Sequence, residues 1–201
     1  MDNFDPATTG LIIVDMQNDF IHPRGAYGRA GQGCDMIAAL PERLAPVANA
    51  LRKAGGLIIS TQFTLVPGRD DEPLIANHLK TLRPFLTKGD FKPGGFGHAL
   101  IDDLQPADFC VEKVAFSAFF NSRLDWVLTK TGIKTLIFCG IVTNGGVAST
   151  LRDAHVREYS CIILSDGCGA FSAPAHDSSI GSLSTIATVA TCAEIIQQLD
   201  V

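Results

Sequence analysis

The chain has 201 residues, 46% of them hydrophobic and 18% charged, with a formal net charge of −5. That length suits one globular domain over residues 1–201, and a slightly positive mean hydropathy excludes disorder as the main state. The 16 Lys and Arg, set against 21 Asp and Glu, form no cluster that would build a nucleic-acid surface, and no apolar run approaches the roughly 20 residues of a membrane helix.

The N-terminal stretch is acidic and lacks the basic and apolar regions of a signal peptide. None of the six cysteines pairs as C-x-x-C, and several lie inside apolar runs, as Cys139 does. Such cysteines read as small hydrophobes in a reduced compartment, which places the protein in the cytoplasm.

Taken in chain order, short apolar runs alternate with amphipathic stretches. Residues 10–15 read as a buried strand that ends on a carboxylate, Asp15. Residues 35–54 carry Met36, Ile37, Leu40, Leu44, Val47, Ala48 and Leu51 at helical spacing, and Gly55 and Gly56 stop that helix. Residues 57–61 form a second strand. Residues 62–98 break the pattern with four prolines and several glycines, leaving one helix near 73–82; a connection of this length is usually functional or partly disordered.

Residues 108–113 form a third strand that ends on Lys113. Asn121 or Ser122 caps a helix through about Thr131, and Gly132 ends it. Residues 135–139 form the fourth strand, followed by a glycine-bearing turn at 140–146 and a helix to about Glu158. Residues 161–164 form the fifth strand. Pro174 opens the next helix, and 188–191 form a sixth strand before a terminal helix.

Continuous apolar strands joined by helices imply a parallel sheet covered on both faces, an α/β class. Ligands bind such sheets beyond the carboxyl ends of the strands. Asp15, Gln62, Lys113 and the 140–146 turn are therefore expected to gather at one place. Asp15 follows four apolar residues, so its carboxylate needs a partner, and Lys113 can supply it if the two strands are neighbours. The turn glycines permit close backbone approach, and the helix after them offers free N–H groups to an oxyanion or carboxylate. The turn is neither G-x-G-x-x-G nor a P-loop.

Three blocks carry a resemblance: Leu11-Ile-Ile-Val-Asp-Met-Gln-Asn-Asp-Phe20, Glu112-Lys-Val-Ala-Phe-Ser-Ala-Phe-Phe120, and Gly140-Ile-Val-Thr-Asn-Gly-Gly-Val147 with Thr150-Leu-Arg-Asp-Ala154. In this order and spacing they resemble the isochorismatase-like (cysteine hydrolase) superfamily over about residues 10–195. The resemblance implies a Rossmann-like, three-layer α/β/α fold with a mostly parallel six-stranded sheet. It implies catalytic roles for Asp15 and Lys113, and a non-proline cis peptide at Val142–Thr143. It also implies a homo-oligomer, dimer or tetramer, acting on a small molecule without a cofactor.

Most members of that superfamily place a nucleophilic cysteine at the seventh position of the turn, which here is Gly146. Isochorismatases proper carry glycine there and cleave a vinyl ether, with the Asp as proton donor. That chemistry is the first expectation for this chain, with Asp15, Lys113 and Gly146 as its catalytic positions. The second is amidohydrolase-type C–N hydrolysis by water activated at Asp15, natural or with the cysteine replaced. The third is a catalytically silent binding or scaffold homologue.

Further candidates for substrate contact are Gln62 after the second strand, Arg69 as a carboxylate clamp, Phe119 and Phe120 as walls, and Val142, Thr143, Asn144 and Gly145 in the turn. The Tyr-Ala-His sequence associated with isochorismatases is missing from the turn. The stretch after the second strand lacks the Asp-x-His element of the zinc-binding nicotinamidases, and the five histidines show no ligand spacing, so no metal is expected.

Overall fold

The apolar runs become six parallel strands in a computed structural model that describes residues 3–199. They are β1 (Thr9–Val14), β2 (Leu57–Phe63), β3 (Phe109–Lys113), β4 (Thr135–Ile141), β5 (Ser160–Gly169) and β6 (Thr188–Ala190). Their spatial order is β3-β2-β1-β4-β5-β6, and every neighbouring pair is parallel. β1 is buried along its whole length, as a strand covered on both faces must be.

One face of the sheet carries α4 (Leu40–Lys53) and α9 (Cys192–Leu199). Leu40, Leu44 and Leu51 of α4 pack there against Leu11, Ile13 and Ile137. The other face carries α6 (Leu124–Thr131), α7 (Ala148–Val156) and α8 (Ala173–Leu183), whose Leu124, Leu128, Leu151 and Leu183 meet Ile12, Val14 and Phe138. The alternation of Ile12 and Ile13 between the two clusters is the period of two of a strand. This is the three-layer α/β/α arrangement expected from the sequence.

Several elements differ from expectation, each for a local reason. The helix expected over 35–54 is split into α3 (Asp35–Ala38) and α4, because Pro41 has no N–H to continue the ladder across Ala39. The helix near 73–82 shortens to α5 (Asn77–Leu82), since Pro73 pairs with Pro67 in a bridge and Leu74 N donates to Val66 O. The N-cap of the helix after β3 is Arg123 rather than Asn121 or Ser122, and Ser122, one residue earlier, accepts from Leu124 N at 3.0 Å. β2, β4 and β5 run several residues beyond their apolar segments, because ladder hydrogen bonds continue through polar and glycine positions.

From β1 the chain runs outward through β2 to β3, then crosses back to place β4 on the other side of β1. This reversal makes the carboxyl end of β1 the natural place for a ligand. The long segment after β2 folds back over that end. It is held by α1 (Asn18–Ile21), in which Asp19 is almost fully buried. The Asp19 carboxylate accepts from Phe91 N at 2.6 Å and from Ala26 N at 2.9 Å, where α2 (Ala26–Arg29) begins. Phe20 packs beside it against Tyr27 and Phe91, with ring centres 4.9 and 4.6 Å away. The Asp-Phe pair of the first motif thus fastens the wall of the site.

Removal of the Asp19 carboxylate leaves two buried N–H groups without an acceptor. Asp19→Ala is expected to lower the unfolding free energy by about 3 kcal/mol in urea titration, with Asp19→Asn losing less.

Candidate active site

β1 ends at Val14, and the next residue turns the chain sharply: Asp15 has φ of +54°, an uncommon conformation for a residue with a side chain. Its N–H donates to Thr61 O, and its Oδ1 accepts from the Thr61 hydroxyl at 2.8 Å. Its Oδ2 lies 2.6 Å from Lys113 Nζ, with both side chains nearly inaccessible to water. The two strands are not neighbours, as the sequence reading required for this pair. β2 lies between them, and the long lysine side chain spans the gap past Phe63, whose ring centre is 5.3 Å from Nζ. Lys113 Nζ also donates to Ala115 O at 3.0 Å.

Burial pushes the proton affinity of Asp15 up. The Lys113 charge and the hydrogen bonds from Lys113 and Thr61 oppose that rise, and the balance leaves the carboxyl above its ordinary range.

β4 brings the second half of the site. At Gly140 it passes so close to β1 that a Cβ would lie 2.2 Å from Val14 O, and φ is +100°; only glycine fits. The non-proline cis bond falls at Ile141–Val142, one residue before the expected position. Residues Thr143–Val147 then form a single π-helical turn leading into α7, with Gly145 N and Val147 N both donating to Val142 O. Thr150 on α7 fixes this turn to the loop after β3: its hydroxyl donates to Gly146 O and accepts from Ala118 N.

Gly146 faces the carboxylate. A Cβ built there would stand 3.3 Å from Asp15 Oδ2, 3.1 Å from Val14 Cγ1 and 3.2 Å from Ile141 O. Asp15, Lys113, Gly146 and Val142 line one cavity of about 610 Å³. The rest of its wall is largely apolar, with Phe63, Phe91, Leu79 and Phe116 among its members.

Other expected contacts lie elsewhere. Gln62 falls inside β2 rather than after it. Thr61 and Phe63 use the side of the strand that faces Asp15, so Gln62 points away, donates to Ser60 Oγ and borders a separate cleft of about 780 Å³. Arg69 is exposed and does not line the cavity, because the bridged prolines turn its loop outward; Arg83, just after α5, takes that position. Phe119 is buried in the core with the Arg157 guanidinium over its ring, and Phe120 is exposed; Phe116 is the aromatic residue of that motif at the cavity. Thr143 is fully buried and bonds His176 Nδ1 at 2.8 Å, Asn144 is exposed and Gly145 packs against Val142, so these three shape the turn without lining the cavity.

The sequence reading missed Thr61, Phe63, Phe116 and Arg83. Strand alternation from Thr61 signals Phe63, whereas nothing in the segment after β2 distinguishes Arg83 from Arg69. None of the six cysteines lines the cavity. Burial pushes Cys139 and Cys168 well up, and Cys161 and Cys192 to about 12, so all four are poor nucleophiles. Among the described residues no three His, Cys, Asp or Glu side chains form a group that could hold a metal. Among the same residues, no helix is long and apolar enough to cross a membrane.

The profile of the isochorismatase domain matches residues 9–194. The ureidoacrylate amidohydrolase RutB of Caulobacter vibrioides is 38% identical over 177 residues, covering 81% of this chain and 77% of that protein. A cysteine hydrolase from Pseudomonas syringae pv. phaseolicola 1448A superposes with a TM-score of 0.82 at 28% identity, over 100% of this chain and 96% of that one. An N-carbamoylsarcosine amidase from Thermoplasma acidophilum gives 0.72 at 25% identity, over 92% and 96%.

The buried pair makes a stability prediction. Asp15→Leu strands a buried ammonium and is expected to cost about 3–5 kcal/mol, whereas Asp15→Leu/Lys113→Met, which removes both charges, recovers most of that loss. Chemical denaturation of the two variants against the parent measures the difference.

Proposed function

The chain belongs to the isochorismatase family of hydrolases, and on that footing we propose that it cleaves a C–N bond of a small amide or ureido compound at Asp15 and Lys113. The observation that carries this reading is the 38% identity to a ureidoacrylate amidohydrolase over 81% of the chain, and the buried carboxylate facing Gly146 in a cavity lined by no thiol leaves water as the nucleophile. The relatives named above support C–N hydrolysis better than the vinyl-ether cleavage placed first from the sequence.

In this reading water lies between Asp15 Oδ2 and the substrate carbonyl, in the space a longer side chain at 146 would take. Asp15 removes a proton as the water oxygen adds to the carbonyl carbon. The tetrahedral adduct collapses with rupture of the C–N bond, and Asp15 returns the proton to the departing nitrogen. Lys113 holds Asp15 in position and stabilises its anion, and the apolar wall strengthens both interactions by excluding water. Val142 borders the reacting group. The reading includes one catalytic domain in a homo-oligomer within the cytoplasm; free cysteines support a reducing compartment, and exposed Leu74, Phe116 and Phe171 around the cavity support a covering partner.

Vinyl-ether hydrolysis stands as the second reading, favoured by one observation: burial raises the proton affinity of Asp15, which suits a proton donor. The two readings predict opposite pH limbs. A base must be ionised, so C–N hydrolysis rises with pH through the Asp15 pKa, on a limb placed above the ordinary carboxylate value. A proton donor must be protonated, so vinyl-ether cleavage falls through the same region. The kcat/KM profiles of a ureido acid and an enol ether decide between them, and Asp15→Asn is expected to lower turnover by roughly 10²–10⁴-fold. Equal turnover in Asp15→Asn would remove the catalytic role of Asp15, and no turnover of either compound by the parent would return the chain to a binding role.

Gly146→Cys places sulfur beside the same carboxylate, and amide turnover is expected to rise at least ten-fold, with a covalent acyl-enzyme visible by mass spectrometry.

A further inference from the structure

The charges of the cavity do not balance. Asp15 and Lys113 cancel as a close pair, and no other Asp or Glu lines the wall. Arg83 remains. Its Nε donates to Tyr27 Oη at 2.5 Å, and among the described residues its guanidinium has no further hydrogen bond and no ion pair. Tyr27 is itself nearly fully buried, stacked on Phe171 at 5.4 Å and met edge-on by Phe85 at 5.0 Å. A rigid aromatic therefore fixes one edge of the guanidinium and leaves its terminal amino groups to another acceptor. Planar, paired N–H donors of this kind match a carboxylate.

Apart from Thr64 and His78, the rest of the cavity wall is apolar, and the cavity of about 610 Å³ is in the range of pockets that enclose drug-sized ligands. A short ureido acid would leave most of that wall uncovered.

We propose that Arg83 is the anion anchor of this site and that its substrate class is N-carbamoyl or N-acyl acids bearing an aryl or branched alkyl group. The reaction in this proposal rests on the C–N reading above; the binding preference does not.

The test starts with ligands that cannot react. Calorimetry of the full-length protein with 3-phenylpropanoate, propanoate and 3-phenylpropan-1-ol is expected to show the aryl acid binding at least ten-fold more tightly than either of the others. Arg83→Met is expected to remove the advantage of the acid over the alcohol while leaving the affinity for the alcohol within two-fold, which also shows that the variant is folded. Arg83→Lys, which keeps the charge without the fork, is expected to lose part of the advantage. Propanoate binding as well as the aryl acid, or Arg83→Met leaving the acid unaffected, overturns the proposal. Hydrolysis of N-carbamoylphenylalanine follows, with KM expected to rise at least ten-fold in Arg83→Met. If the binding pattern holds and no carbamoyl or acyl compound is turned over, the anchor stands and the C–N reading falls.

Discussion

An ion pair buried between two strand ends organises this molecule. Taking a carboxylate and an ammonium out of water costs several kcal/mol for each, and their attraction offsets that cost only in good geometry with further hydrogen bonds. The structure meets both conditions. The Asp15–Lys113 separation is 2.6 Å, Thr61 fills a second site on the carboxylate, and Ala115 O takes another proton of the ammonium. The positive φ of Asp15, the span of Lys113 across β2 and the close passage of Gly140 all follow from bringing these groups together.

The surroundings decide what such a pair can do. A carboxylate held by a lysine in open water would have an ordinary proton affinity and little chemical use. Here the Asp19 carboxylate and the Phe20–Tyr27–Phe91 cluster fold the long segment back over the strand ends, and desolvation outweighs the lysine. The first motif therefore has two acidic residues with separate tasks. Asp15 faces the cavity, while Asp19 sits behind the wall and binds only backbone.

Position 146 connects this geometry to the reaction. The π-helical turn points it at Asp15, and Thr150 fixes the turn by bonding both Gly146 O and Ala118 N. A scaffold that aims one position so closely at a carboxylate, then leaves it without a side chain, puts the chemical burden on the carboxylate itself. That shift is why the proton affinity of Asp15, more than any nucleophile, separates the two hydrolytic readings.

The sequence alone determined the parallel sheet and both helical layers, because burial on two faces writes continuous apolar runs and amphipathic periods directly into the chain. It also marked Asp15 and Lys113, since a charge at the end of an apolar strand is a local signal, and the family resemblance singled out Gly146 within the glycine turn. It placed Gln62, Arg69 and Phe119 at the site, and tertiary structure placed Gln62 on the other side of β2, Arg69 outside the cavity and Phe119 in the core. Arg83 and Phe116 line the cavity instead. Phe116 is set by the loop after β3, and Arg83 by how a proline-rich segment after β2 folds back over the sheet. That path depends on Asp19 capturing the N–H of Phe91, a contact 72 residues away in sequence, and no local pattern encodes a bond between groups so far apart.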